Sequence, residues 1–410
     1  MRNKIEIVKY IFLFSLFTFH FTSAQSLETL IDEALKNSPE VQKFELQYSI
    51  VAEKVNEVNT IPNTEFGVSY FISEPETRTG AQRFKVSAKQ MMPWFGSITA
   101  RENYVSALAD AKYEEIAIAK RRLIAAVSQS YYNLYANKAK QKVLVQNSKL
   151  LKTYETMALT SVEVGKASAV DVLRLQMRQN ELEQLKAVLV QQFLAEQTTL
   201  NKLLNRTKDS VVDVIDELTI PAETTWMDTN SLSLHPELIK YDKLYQSVEQ
   251  SELLNQKERL PMMGFGLDYV QVDKRPNLEF ADNGKDIVMP MVSLSIPIFN
   301  KKYKSQTKQN EFQQQEIMAQ KQLRINKLET VLDKAIKDRT ASKISHETQT
   351  KNLIQAKHAE EILIKSYETG TIDFNDVLDI QELQLKFQMG QIEALKNYYV
   401  QQSIINYITN

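Results

Sequence analysis

Two runs without a glycine or a proline constrain this chain more than any other feature: 68 residues from Ser97 to Val164 and 69 from Lys301 to Thr369. Helices average ~11 to 12 residues, and glycine and proline are the residues that most often interrupt them, so runs of this size predict exceptionally long helices. At ~1.5 Å per residue each would reach about 100 Å. Apolar residues recur inside both at helical spacing: Ile116, Leu123, Val127, Tyr131 and Leu134 in the first, Ile325, Leu328, Leu332 and Ala335 in the second. The whole chain of 410 residues has only 9 Gly and 10 Pro, so turns must be few throughout.

Each run stops at a glycine, and the two glycines open related segments. GKASAVDVLRLQ (165–176) and GTIDFNDVLDIQ (370–381) share the frame Gly-x5-Asp-Val-Leu-x2-Gln. Beyond them the apolar pattern returns every seven residues, at Leu175, Leu182 and Leu189 and again at Leu378, Leu385, Ile392 and Tyr399. Gly165 and Gly370 are therefore predicted to be the tips of two antiparallel helical hairpins, 97–206 and 300–408.

Other landmarks also occur in pairs. NSPE (37–40) answers LHPE (234–237), IPNTEFGVSYF (61–71) answers LPMMGFGLDYV (260–270), and MPWFGS (92–97) answers IPIFNK (296–301). Self-similarity at this range marks a tandem duplication, with halves at 25–206 and 234–410. The segment 207–233, which breaks the helical pattern, connects them.

Each half also holds two short segments that alternate with a period of two. Phe66, Val68, Tyr70 and Ile72 alternate with polar residues, as do Phe84, Val86 and Ala88; the second half repeats this with Phe265, Leu267 and Tyr269 and with Val292, Leu294 and Ile296. Strands are predicted at about 65–72, 83–92, 263–272 and 287–297, close to the ~9 to 11 residues of a tilted membrane strand. Pro93 and Pro297 close the second strand of each half, where a residue without an N–H belongs. Trp94, Phe95 and Phe299 stand beside them, placed for an interfacial aromatic girdle or for packing at the strand-to-helix junction.

Residues 1–24 read as a secretory signal peptide: a basic start, MRNKIEIVK, then the apolar YIFLFSLFTF, then small residues ending at Ala24. No later stretch is apolar over the ~20 residues a spanning helix needs, so a membrane form of this chain must enter the bilayer as strands. Four strands cannot close a barrel, and an open edge in lipid leaves backbone groups unpaired at several kcal/mol each. Copies must share: three would supply twelve strands around a water-filled pore, and six helical hairpins.

Composition removes other classes. Lys+Arg 50 against Asp+Glu 51 leaves a formal charge of -1, without the basic excess of a nucleic-acid binder. Zero cysteines exclude disulfides, thiol nucleophiles and thiolate metal sites. The four histidines, at 20, 235, 346 and 358, fall into no metal-binding spacing, and no catalytic nucleophile or phosphate loop is present, so neither an enzyme nor a cofactor is expected. Met91, Met289 and Met291 lie in phase with the polar residues of their strands; thioethers suit Cu(I) and related soft ions, although adaptable packing is the commoner use of methionine.

With duplicated halves, paired strands, proline-closed strand ends and glycine-tipped hairpins in sequence order, the chain resembles the TolC-type outer-membrane efflux proteins from about residue 26 onward. The resemblance implies a mainly α fold with a small β part: a homotrimer whose strands form a shared 12-stranded barrel in the outer membrane, in contact with its lipid, and whose hairpins form a periplasmic α-helical barrel. It implies the exit duct of a tripartite efflux or type I secretion system, fed through a periplasmic adaptor by an inner-membrane transporter, with cargo such as metal cations or drugs. It places both glycine tips at the periplasmic mouth, where adaptors make contact, and matches Asp376 and Asp379 to acidic rings in the closed entrance. Tyr367 and Asp171 match a hydroxyl-to-carboxylate link that holds that entrance shut, while Ile372 and Val170 stand where the best-known members carry Arg and Thr. A periplasmic coiled-coil adaptor or structural protein is the alternative that the heptads alone would allow, but it does not account for the strands.

Overall fold

The computed structural model describes residues 25–165, 168–222 and 229–410. The proposed signal peptide and part of the connecting segment lie outside the described residues. In chain order the elements are α1 (Leu27–Asn37), α2 (Pro39–Val58), β1 (Glu65–Tyr70), β2 (Glu76–Thr77), β3 (Gly80–Met92), α3 (Ser97–Glu163), α4 (Ala169–Leu203), a 3-10 turn (Thr229–Leu234), α5 (Pro236–Glu258), β4 (Met262–Val272), β5 (Ile287–Ser295), α6 (Lys302–Glu368) and α7 (Phe374–Thr409). The two unpunctuated runs are single helices, α3 and α6, of 67 residues each.

The chain forms two compact units, and neither follows the duplication. Among the described residues, one unites those up to Pro39 with those of Lys120–Thr229 and Thr330–Asn410; the other unites Glu40–Ala119 and Asn230–Glu329. Each unit therefore draws on both halves of the sequence.

The second unit contains the sheet. Its antiparallel ladder runs β1-β3-β4-β5, with the two-residue β2 attached to β3 outside that path. The register places Val68, Val86, Tyr269 and Val288 in one cross-strand row and Phe66, Ala88, Leu267 and Pro290 in the next. Successive residues of a strand face opposite sides, so these rows share one face, and that face is apolar. Most of its residues are exposed, Phe66 and Val68 each at 78%. Glu65, Lys89, Gly266 and Met291 occupy one row of the other face, and Gly67, Ser87, Asp268 and Met289 the next.

The alternation expected from Arg83 through Lys89 holds only from Lys85 onward. A register shift between Gln82 and Phe84 removes Arg83 from the ladder, as a bulge does by adding one residue to one strand. Arg83 instead pairs with Asp273 at 2.5 Å and Glu74 at 3.3 Å. Those two acids lie in the two connectors between strands, which are joined again by Arg78 to Asp282 and Arg275 to Glu76, both at 3.0 Å.

In the same unit α5 is started by His235, which is fully buried; its Nδ1 accepts a hydrogen bond from the Glu237 N–H at 3.2 Å. A helix start leaves such N–H groups without partners, and here an imidazole rather than a hydroxyl supplies the acceptor. Glu237 in turn pairs with Arg324 of α6.

In the first unit residues 207–222 of the connecting segment run against the helices. Val212 and Val214 are buried, Lys138 binds Asp213 at 2.8 Å and Asp216 at 3.1 Å, and the Tyr399 hydroxyl donates to the Thr219 carbonyl at 2.5 Å. The segment has no periodicity because its backbone is held by side chains of α3 and α7 rather than by its own ladder.

Candidate functional site: the paired hairpin tips and the polar sheet face

The tips begin where α3 and α6 run out. Gly165 and Gly370 take φ of +72° and +75°, the left-handed conformation that ends helices and that residues with a Cβ rarely adopt. At the second tip the Gly370 N–H bonds to the Tyr367 carbonyl at 2.9 Å and the Thr371 N–H to that of Ser366 at 3.0 Å. These are the paired bonds of a Schellman motif, and they satisfy carbonyls that the helix end leaves open.

The returning helices then start differently. At α4 the Ser168 hydroxyl accepts from the Val170 N–H at 3.1 Å, while the Asp171 carboxylate reaches back to the Ser168 N–H at 3.3 Å, forming a capping box. At α7 the cap is Asp373, which accepts from the Asn375 N–H at 3.1 Å. Asp376 and Asp379 follow, three residues apart on one side of the helix and both exposed.

The expected link between Tyr367 and Asp171 does not form within the chain. Asp171 is buried, and its carboxylate serves the start of its own helix and lies 3.9 Å from Arg174. The Tyr367 ring packs edge-on against Phe374 at 4.9 Å, and its buried hydroxyl has no hydrogen-bond partner. A different bond joins the tips: the Arg174 guanidinium donates to Asn375 Oδ1.

Beneath the tips lies a core of Leu151, Tyr154, Leu175, Phe374, Val377 and their neighbours. Phe374 is also edge-on to Tyr154, at 5.9 Å. Polar groups cross this core, a feature that apolar periodicity could not reveal. The Tyr154 hydroxyl donates to Glu360 Oε1 at 2.5 Å, and Gln384 donates to Oε2 of the same carboxylate at 2.7 Å. Gln381 donates to Asn147 at 2.6 Å, and Asn147 to Gln388 at 2.9 Å. Burial, reinforced by the Glu360 carboxylate, pushes the Tyr154 hydroxyl well above its ordinary pKa. A cleft of about 600 Å3 opens beside the second tip, lined by Thr153, Thr156, Met157, Thr160, Tyr367 and Ile372 among others.

At the strand-to-helix junctions Pro93 directly follows β3 and Pro297 lies two residues beyond β5. Trp94 is half-buried and edge-on to Phe95 at 6.1 Å, whereas Phe95 and Phe299 point into the open. Trp94 thus packs at the junction while the two phenylalanines are free for a surrounding phase.

On the polar sheet face Asp268 is almost completely buried and paired with Lys85, yet its second oxygen, Oδ1, has no partner. Among the described residues no cluster of three or more His, Cys, Asp or Glu could hold a metal, and no helix is long and apolar enough to cross a membrane.

The sequence model of the outer membrane efflux protein family matches residues 30–206. No curated protein sequence matches the chain. Several solved structures share its fold. The outer membrane protein VceC of Vibrio cholerae aligns with a TM-score of 0.74 at 14% identity, covering 93% of this chain and 95% of that one. CusC, whose structures concern folding and transmembrane channel formation, gives 0.78 at 14% identity, over 94% and 92%. The open state of the MtrE outer membrane channel of Neisseria gonorrhoeae gives 0.75 at 15% identity, over 93% and 88%. The chain thus matches the outer membrane efflux protein family in sequence over residues 30–206 and shares the fold of these solved structures over more than nine-tenths of its length.

Proposed function

We propose that three copies of this chain form an outer-membrane channel, the exit duct of a tripartite efflux or type I secretion system. The observation that carries this is the unfinished sheet. It has an exposed apolar face, and β1 and β5 each pair on one side only. An apolar face of this extent suits lipid, and edges in lipid must be paired, which copies of the same chain accomplish by joining β5 of one to β1 of the next. Three is the number at which the strands suffice for a pore and agrees with the family resemblance.

The cargo enters from a periplasmic adaptor and an inner-membrane transporter. The glycine tips and the cleft beside Tyr367 offer the surface on which an adaptor hairpin docks. Asp376 and Asp379, exposed on one side of α7, supply acidic rings when three copies meet, and negative potential concentrated on an axis favours cations.

The test is direct. Membranes from expressing cells are separated by density, and the detergent-purified protein is sized and placed in planar bilayers. Recovery in the outer membrane as a trimer that conducts ions is expected. A water-soluble, non-conducting product recovered from the periplasm overturns the channel and restores the adaptor or structural alternative.

A further inference from the structure

The polar face of the sheet holds an arrangement that the channel reading does not require. Met91, Gly264 and Ser293 share one cross-strand row, Lys89, Gly266 and Met291 the next, and Ser87, Asp268 and Met289 the one after. Met262, two residues before Gly264, belongs to the same face by strand alternation. Four of the chain's 12 methionines thus converge on neighbouring rows of one small sheet face.

The glycines of β4 form the floor. A Cβ placed on Gly264 would collide with the Ser293 hydroxyl and lie 2.6 Å from the Met91 sulfur; one placed on Gly266 would lie 3.3 Å from the Met291 methyl. Side chains from β3 and β5 therefore lean inward over β4 from both sides and occupy the space that the missing side chains leave. Adaptable packing, the ordinary use of methionine, does not explain this group, because Met289 and Met291 remain 41% and 42% exposed and fill no core of the chain. Beside them, the buried carboxylate of Asp268 presents an oxygen without a partner.

We propose that this face binds a soft monovalent cation, Cu(I) or Ag(I), through the thioethers of Met91 and Met291, with Met262 and Met289 on the flanking rows. Soft sulfur ligands select such ions over Mg, Ca or Mn. The local charges reinforce the selection. Lys85 and Lys89 share the face with Asp268 and Glu65, so the field gives little net attraction to a hard cation. A metal–thioether bond does not depend on that field. That the bound ion is in transit rests on the channel reading; the site itself does not.

Purified full-length protein in detergent, in chloride-free buffer, is titrated with silver nitrate in a calorimeter, and the silver-loaded sample is examined by X-ray absorption. About one Ag(I) per chain with sulfur neighbours is expected, and Met91→Leu with Met291→Leu should weaken binding at least tenfold. Leucine conserves volume closely enough to keep the sheet, and unchanged oligomer size and bilayer conductance of the double variant verify this. Met318→Leu, exposed on α6 and outside the sheet, should leave binding unchanged. Absence of silver binding, equal binding by the double variant, or oxygen and nitrogen neighbours alone would overturn the site. A protein that binds silver but does not conduct refutes the channel and leaves the site standing; one that conducts without binding does the reverse.

Discussion

The two tips carry the same twelve-residue frame, and the fold uses the copies in opposite ways. Asp171 and Asp376 are equivalent positions, yet the first is buried in the start of α4 while the second is exposed on α7. The difference traces to the capping residue. Serine at 168 leaves its own N–H to be satisfied by the following aspartate, whereas at α7 the cap is itself an aspartate, and Asp376 is not drawn inward. Three residues later the copies even differ in sign: Arg174 reaches across to Asn375, and its counterpart Asp379 stands exposed. Position 169 is alanine and position 374 is phenylalanine, so the second copy also supplies the large core side chain. The two hairpins are nearly equal in length, yet the first tip buries its aspartate while the second leaves two exposed.

The largest test of that division is Phe374→Ala. A buried phenylalanine replaced by alanine costs about 3 to 5 kcal/mol, and the loss should be localised, seen as faster hydrogen exchange in the last turns of α6 and the first of α7. Loosening of the α4 start alone would contradict the assignment of core and support. A smaller, more discriminating effect comes from the paired aspartates. Asp171→Ala removes one side of a capping box and should cost on the order of 1 kcal/mol of local stability. Asp376→Ala should stay within about 0.5 kcal/mol, as surface changes do, while lowering cation selectivity in bilayers. If the two variants exchange these outcomes, the tips have been assigned in reverse. The smallest effect belongs to Tyr367→Phe. It removes a buried hydroxyl that bonds to nothing within the chain, so single-channel conductance and thermal stability should be unchanged; a clear rise in conductance would show that the hydroxyl finds a partner in a neighbouring copy.

Much of this architecture was legible because it depends on short-range rules. The lengths of α3 and α6 follow from the absence of interrupters between Ser97 and Val164 and between Lys301 and Thr369, and the tips from the glycines that end those runs. The four ladder strands follow from alternation. The rest depends on partners remote in sequence. The bulge that removes Arg83 from its phase is decided by pairing with β4, and β2 exists only because it meets β3. Glu360, Gln384 and Tyr154 show no pattern along the chain, since the carboxylate is satisfied by residues more than twenty and more than two hundred positions away. Asp171 is the instructive failure. Its position suggests a polar link to Tyr367, but within the chain a serine three residues upstream offers the shorter route, and the carboxylate caps its own helix. Pro290, inside β5 rather than at its end, is another residue that alternation does not flag.

The glycines at 165 and 370 have one more consequence. A methyl group added to either would meet nothing within 4 Å, so crowding plays no part in their selection. What these corners demand is handedness: an L-amino acid held there is penalised by roughly 1 to 2 kcal/mol from its own backbone, while a D-alanine installed by chemical synthesis would sit at ease. Evolution, restricted to one mirror form of its alphabet, can supply that geometry most cheaply with its sole achiral letter.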